Sequence, residues 1–320
     1  MHCHFRTHTI ILLMSFPIWI PFENEWWTFF ALMMLIASCI IISELTLKRG
    51  YLSAEHNRRL IHFIVGIMIT ISPMIFKSNL PPSVLASIFI LINCLAFNNE
   101  KLKGIHSQVR LTYGTIYFPF AYLLIVQGFW DYPEFIVISL SLLAFCDPFA
   151  AHIGESVESP IKFKIWKDNK SIQGTVAFFV SALVLIFSFS QWFFNYSTNF
   201  ILLFTLFTAI GATIAEITSN KGSDNLSIPI VSILFMVGFT NIFSESNDNI
   251  ENIVFSIQSL IMILVLCFFI FAYWLNLLNK SGFFGAIIMA MVILLLGSLI
   301  HLMSLAIFFI LSSIISKVFK

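Results

Sequence analysis

Residues 142–177, LLAFCDPFAAHIGESVESPIKFKIWKDNKSIQGTVA, decide the fold. The stretch begins inside an apolar run, carries one carboxylate, Asp147, into it, and breaks into a loop bearing Lys162, Lys164, Lys167 and Lys170. It re-enters apolar sequence through Ser171 and Gly174. A charge at membrane depth costs at least a few kcal/mol and is seldom kept without a use. Asp147 is therefore the first candidate site residue. Asp147, Ala150 or Ala151, and Gly154 share one helix face, with no bulk beside the carboxylate. Small residues there let another backbone or a ligand approach. Ser171 and Gly174 stand at a helix start, where free backbone N–H groups and the helix dipole favour an anion.

Composition extends this reading to the whole chain. Hydrophobic residues make up 59% of its 320 positions and charged residues only 10%, and the mean hydropathy is +0.94. So little polar surface cannot cover a soluble domain. The expected class is an all-α, polytopic integral membrane protein. Runs long enough to cross ~30 Å of hydrocarbon lie at 26–43, 60–76, 82–97, 113–130, 135–153, 172–189, 200–218, 228–243 and 253–275. A shorter run at 9–22 reads as a tight span or an interfacial helix, and 283–315 turns near 297–301 to cross twice. About 10–11 transmembrane helices result.

The charges test that count. With Arg6 inside, the alternation of loops puts every Lys and Arg except Lys77 on one side, which is the cytoplasmic side by the positive-inside rule. The opposite loops hold Glu23, Glu25, Asp131, Glu134, Glu245, Asp248 and Glu251. A net charge of +1 argues against a nucleic-acid partner. The five cysteines form no CxxC pair and read as reduced packing residues. His2, Cys3 and His4 read as a frayed tail rather than a metal site, and no cleavage site follows the apolar run after Arg6.

On that topology the unusual polar residues gather at the cytoplasmic helix ends. Arg58, Arg59 and His62 open one span, Tyr113, Gly114 and Tyr117 another, and Asp147 to Gly154 close a third. Lys170 to Gly174 open the next, Glu216 closes one, and Asp224, Asn225 and Pro229 open the last of the set. A water-soluble cosubstrate meets a lipid there without crossing the membrane. A metal-bound phosphate suits the set, with carboxylates on Mg²⁺ and the lysine and helix start on phosphate oxygens. GxxxxGK[ST], GxGxxG, HExxH and GxSxG motifs are absent.

The series RRLIH, YGTIYFP, CDPFAAHIG, KSIQG and E-x(7)-DNLSIP resembles the CTP-dependent lipid kinases of the dolichol kinase, phytol kinase and diacylglycerol kinase family, which are distantly similar to phosphatidate cytidylyltransferases. That family's pattern is approximately R-K-x-x-H, G-D-x-x-A-x-x-x-G-R, K-S-x-E-G-[ST], then an acidic residue ahead of D-N-[LF]-x-x-P. The resemblance spans 58–229 in the right order. It implies a membrane-embedded kinase that transfers the terminal phosphate of CTP to a lipid alcohol such as phytol, dolichol or another polyprenol, with a divalent metal. Carried onto this chain, it implies catalytic roles for Asp147, Lys170, Glu216 and His62. It implies nucleotide contacts from Arg59, Gly154, Ser171, Gly174, Asp224 and Asn225, and metal ligation by Asp147 and Asp224. Cys146, Glu155 and Gln173 stand where the pattern has glycine, arginine and glutamate. The domains expected are membrane helices at 1–45, a lipid-kinase-like catalytic unit at 46–245 and accessory helices at 246–320. The host membrane is of the bacterial inner or endoplasmic-reticulum type.

Each residue also has a plainer reading. Asp147 and Glu216 could be buried structural acids, Arg58 and Arg59 topology charges, and Asp224 and Asn225 helix caps with Pro229 in the following turn. Lys162, Lys164 and Lys167 suit a solvated or headgroup-facing loop. Two other functions fit the same inventory: a cytidylyltransferase making a CDP-lipid, and a non-catalytic or transport protein.

Overall fold

The computed structural model describes residues 15–51, 53–98, 113–164 and 169–244, with a few positions between 285 and 309. The run 253–275, most of 283–315, residues 2–4 and Lys167 lie outside the described residues, as does most of the expected accessory segment 246–320. The elements in order are α1 (Glu25–Lys48), α2 (Ala54–Thr70), α3 (Ser72–Ile75), α4 (Leu80–Asn98), α5 (Gly114–Gly128) and α6 (Pro133–Ser141). A π-helical turn, Leu142–Cys146, leads into α7 (Asp147–Ser156). Strands β1 (Lys162–Lys164) and β2 (Asn169–Ser171) follow, then α8 (Ile172–Phe193), α9 (Thr198–Ile217) and α10 (Asp224–Ser244).

Eight of the expected apolar runs fall on these helices, and the chain is an all-α polytopic membrane protein, with one small hairpin among the described residues. Among the described residues, Glu25–Lys48, Pro133–Ser156, Ile172–Phe193 and Thr198–Ile217 are long and apolar enough to cross a membrane, and four shorter apolar helices accompany them. Short polar caps set the starts. The side chains of Asn24, Ser53, Ser171 and Ser197 each accept a backbone N–H of the first turn of α1, α2, α8 and α9, satisfying donors that a helix start leaves open.

The α6–α7 rod is the centre. Glu134 to Ala144 are all buried, as expected of a helix that is apolar all round. Around it, α8 shows a one-sided stripe: Phe178, Ala182 and Ile186 are buried, whereas Val176, Val180 and Val184 face outward. The four-residue spacing assigns the first set to protein and the second to lipid. Phe135, Phe200, Phe204 and Phe239 interlock at ring separations of 5.3–6.5 Å.

Three features differ from the sequence expectation. Residues 15–24 are not helical, because Pro17 and Pro21 each remove a backbone donor. The segment instead lies against α3, with the Trp19 N–H donating to the Met74 carbonyl at 3.0 Å. Glu134, expected in a loop, is 1% exposed in the first turn of α6. The lysine loop contains the antiparallel β1–β2 hairpin.

Candidate functional site

Asp147 follows the π turn directly. Pro148 has no N–H to give to residue 144, and its ring would crowd that carbonyl in a regular α-helix. A π turn at 142–146 opens the helix at this point, and such turns often accompany functional positions. The turn is held from the side by α2: a Cβ on Gly66 would stand 2.8 Å from the Ala144 Cβ. Proline inside an apolar run is the sequence signal for this irregularity.

The hairpin sorts the lysines. Its register pairs Phe163 with Lys170, and Lys162 and Lys164 are exposed while Lys170 turns inward. Alternation along a strand separates them in this way. Lys170 Nζ donates to Glu216 Oε1 at 2.7 Å, with the two side chains 19% and 8% exposed. Burial opposes the Lys170 charge, but Glu216, Asp224 and Asp147 together outweigh it and raise the Lys170 pKa above its ordinary value. Four elements, α7, β2, α9 and α10, thus bring Asp147, Lys170, Glu216 and Asp224 together.

The glycines and Ser171 build the support. Ser171 caps α8 by accepting the Gly174 N–H at 3.1 Å. A Cβ on Gly154 would stand 2.6 Å from Ser171 Oγ, and one on Gly174 would stand 3.1 Å from the Ala150 carbonyl. Of the two visitors the small-residue face admits, backbone or ligand, the structure seats the α8 backbone there. Gln173 Oε1 accepts the Ile161 N–H at 3.1 Å, tying the hairpin to α8. A glutamate could accept the same bond, so this departure from the family pattern keeps the geometry.

Asn225 is a clasp between helices. Its Nδ2 donates to the Gly114 carbonyl at 3.0 Å, while the Tyr113 N–H donates to the Lys221 carbonyl at 3.2 Å. The start of α5 is thereby fixed to the α9–α10 turn. Asp224 Oδ1 accepts the Asn225 N–H at 3.0 Å in the first turn of α10. Arg59, on α2, forms an ion pair with Glu155 at the end of α7, so Glu155 sets a carboxylate beside a guanidinium. The His62 ring packs on Phe118 of α5 with centroids 4.7 Å apart.

Buried oxygen atoms that the sequence reading did not single out also occur here. Thr175 Oγ1, in the first turn of α8, and Asn220 Oδ1, in the α9–α10 turn, have no hydrogen-bond partner, and neither does Glu216 Oε2. The sequence carries no periodic signal for Asn220, which lies in a turn. As for a resident metal, no group of three His, Cys, Asp or Glu side chains among the described residues could hold one. The oxygen donors of Asp147, Glu216 and Asp224 suit a hard cation such as Mg²⁺, which commonly takes one or two carboxylates and completes its shell with water and substrate phosphates.

This arrangement of an inward lysine among three carboxylates lies within the motif series 58–229, and comparison with known proteins bears on that series. The chain is distantly similar to phytol kinases. It is 26% identical over 204 residues to the phytol kinase of Synechocystis sp., covering 62% of this chain and 85% of that one. It is 24% identical over 208 residues to the probable chloroplastic phytol kinase 1 of Oryza sativa subsp. japonica, covering 58% and 65%. An uncharacterized protein of Methanocaldococcus jannaschii is 28% identical over 204 residues, which are 60% of this chain and 98% of that protein. No family model matches the chain, and no solved structure matches it.

Proposed function

We propose that the chain is a membrane-embedded lipid kinase that transfers the terminal phosphate of a nucleoside triphosphate, CTP by resemblance, to the hydroxyl of an isoprenoid alcohol such as phytol, dolichol or another polyprenol. The observation that carries this reading is the buried Lys170–Glu216 pair, with Asp147 and Asp224 close enough to act on Lys170. The distant similarity to phytol kinases supports the same chemistry.

In this mechanism the lipid hydroxyl oxygen attacks the γ-phosphorus, the bond to the β–γ bridging oxygen breaks, CDP leaves, and the hydroxyl proton passes to Glu216 or His62. Lys170 and Arg59 neutralise phosphate charge, and Ser171, Gly174 and Asn225 hold the helix starts that frame the nucleotide. Asp147 and Asp224 would hold Mg²⁺, which supplies charge neutralisation at the phosphates. Carboxylates outnumber the Lys170 ammonium three to one, so a bare triphosphate would be repelled and a magnesium complex would not. Catalysis is then positioning plus electrostatics. The basic loops favour a cytoplasmic site for this chemistry by the positive-inside rule.

The test uses membranes containing the full chain, CTP labelled at the γ- or the α-phosphate, and phytol, farnesol, dolichol and diacylglycerol as acceptors. The expected product carries γ-label and not α-label, requires Mg²⁺, and disappears in Asp147→Asn. An α-labelled CDP-lipid would make the chain a cytidylyltransferase. No nucleotide-dependent lipid product would make it a non-catalytic or transport protein.

A further inference from the structure

We infer that Asn220 is an oxygen ligand for a divalent cation, together with the free oxygen of Glu216, which leaves His62 of the two candidate bases to take the hydroxyl proton. The inference deepens the kinase reading, on which the link from this cation to a nucleotide rests. Glu216 is 94% buried, and Lys170 engages only Oε1. Oε2 is buried without a partner, and so is Asn220 Oδ1 four residues on. A buried acceptor left open is costly, so two within five residues of chain are a shortfall that a ligand removes.

The turn itself is shaped to hold the amide. The Asn220 N–H donates to Ser223 Oγ at 2.9 Å, and the Ser223 N–H donates to the Asn220 carbonyl at 3.0 Å. Lys221 and Gly222 take positive φ of 51° and 86°, a conformation that a lysine adopts only when its surroundings impose it. With the backbone tied this way, Asn220 is held three residues past Ile217, where α9 ends one residue after Glu216.

The occupant follows from charge. A water or a substrate hydroxyl would satisfy one acceptor and leave the excess of Asp147, Glu216 and Asp224 over Lys170 uncompensated. A divalent cation answers both, and neutral amide oxygens together with carboxylates are ordinary ligands for hard cations.

The experiment titrates Mn²⁺ into the purified full chain in detergent, without nucleotide or lipid, and follows the free ion by electron paramagnetic resonance. The wild type is expected to bind, Asn220→Ala to bind about tenfold or more weakly, and Asn220→Asp, which keeps an oxygen and adds charge, to bind at least as tightly. Thermal melts show that each variant is folded. Wild-type affinity in Asn220→Ala, or no Mn²⁺ binding by the wild type, overturns the inference. Transfer of γ-label to lipid is measured on the same preparations. Asn220-dependent Mn²⁺ binding without transfer rejects the kinase and keeps the cation site, and transfer with Asn220-independent binding does the reverse.

Discussion

Lys170 is held from three directions, and that makes it the residue most open to experiment. Removing one member of a buried pair leaves the other charge uncompensated, at a cost of about 3–5 kcal/mol. Lys170→Met and Glu216→Leu are each expected to lower the melting temperature of the detergent-solubilised protein, and the double variant to regain most of the loss. Activity should stay absent in all three. A double variant that recovers lipid phosphorylation would show the pair to be structural only. The pH dependence follows from the raised Lys170 pKa. A folded-state value above the unfolded one, about 10.4, contributes stability that is complete below that unfolded value and is lost as pH rises through the folded one. Denaturation free energy measured from pH 8 upward should therefore hold level and then fall in the alkaline range, and Lys170→Met should remove that component of the fall.

At the scale of elements, the contact between α7 and α8 decides where Asp147 and Lys170 stand. Gly154→Ala would drive a methyl against Ser171 Oγ, the group that caps α8. Loss of such a cap costs about 1 kcal/mol. Gly174→Ala meets Ser171 Oγ as well, at 2.9 Å, and in addition presses on the Ala150 carbonyl at 3.1 Å, which is backbone and yields less readily. The expected order of melting temperatures is wild type, Gly154→Ala, then Gly174→Ala, with phosphotransfer falling in the same order. The clasp from Asn225 to Gly114 gives a parallel case: Asn225→Ala loses one buried hydrogen bond between α10 and α5, about 0.5–1.5 kcal/mol. The hairpin was hidden in the sequence because a lysine-rich segment of such short strands has too little apolar alternation to distinguish it from a loop. The π turn was hidden because apolar periodicity does not register one extra residue in a helix that is buried all round.

For the whole molecule, the hairpin and the starts of α2, α5, α8 and α10 lie at one end, and the Lys77 segment lies at the other, where Lys77 donates to the Glu23 carbonyl and Ser78 to Glu25. Single cysteines replacing Lys164 and Lys77 should therefore react with a membrane-impermeant reagent from opposite sides, Lys164→Cys from the cytoplasm. Labelling of both from one side would undo the topology and the cytoplasmic placement of the chemistry. The sequence by itself determined that the chain is a helical membrane protein and where eight of its helices run. The reason is that crossing hydrocarbon imposes a length and an apolarity on each segment independently of its neighbours. It also marked Asp147, Lys170, Glu216 and Asp224 as unusual, since charge in such a chain is costly wherever it occurs. Only the tertiary structure decided that these four meet, that Ser171 and the two glycines serve the seating of α8, and that Glu216 Oε2 and Asn220 Oδ1 are each buried without a partner. Lys170 and Glu216 are 46 residues apart, and no local preference encodes such a meeting: it arises from how α7, α8, α9 and α10 pack.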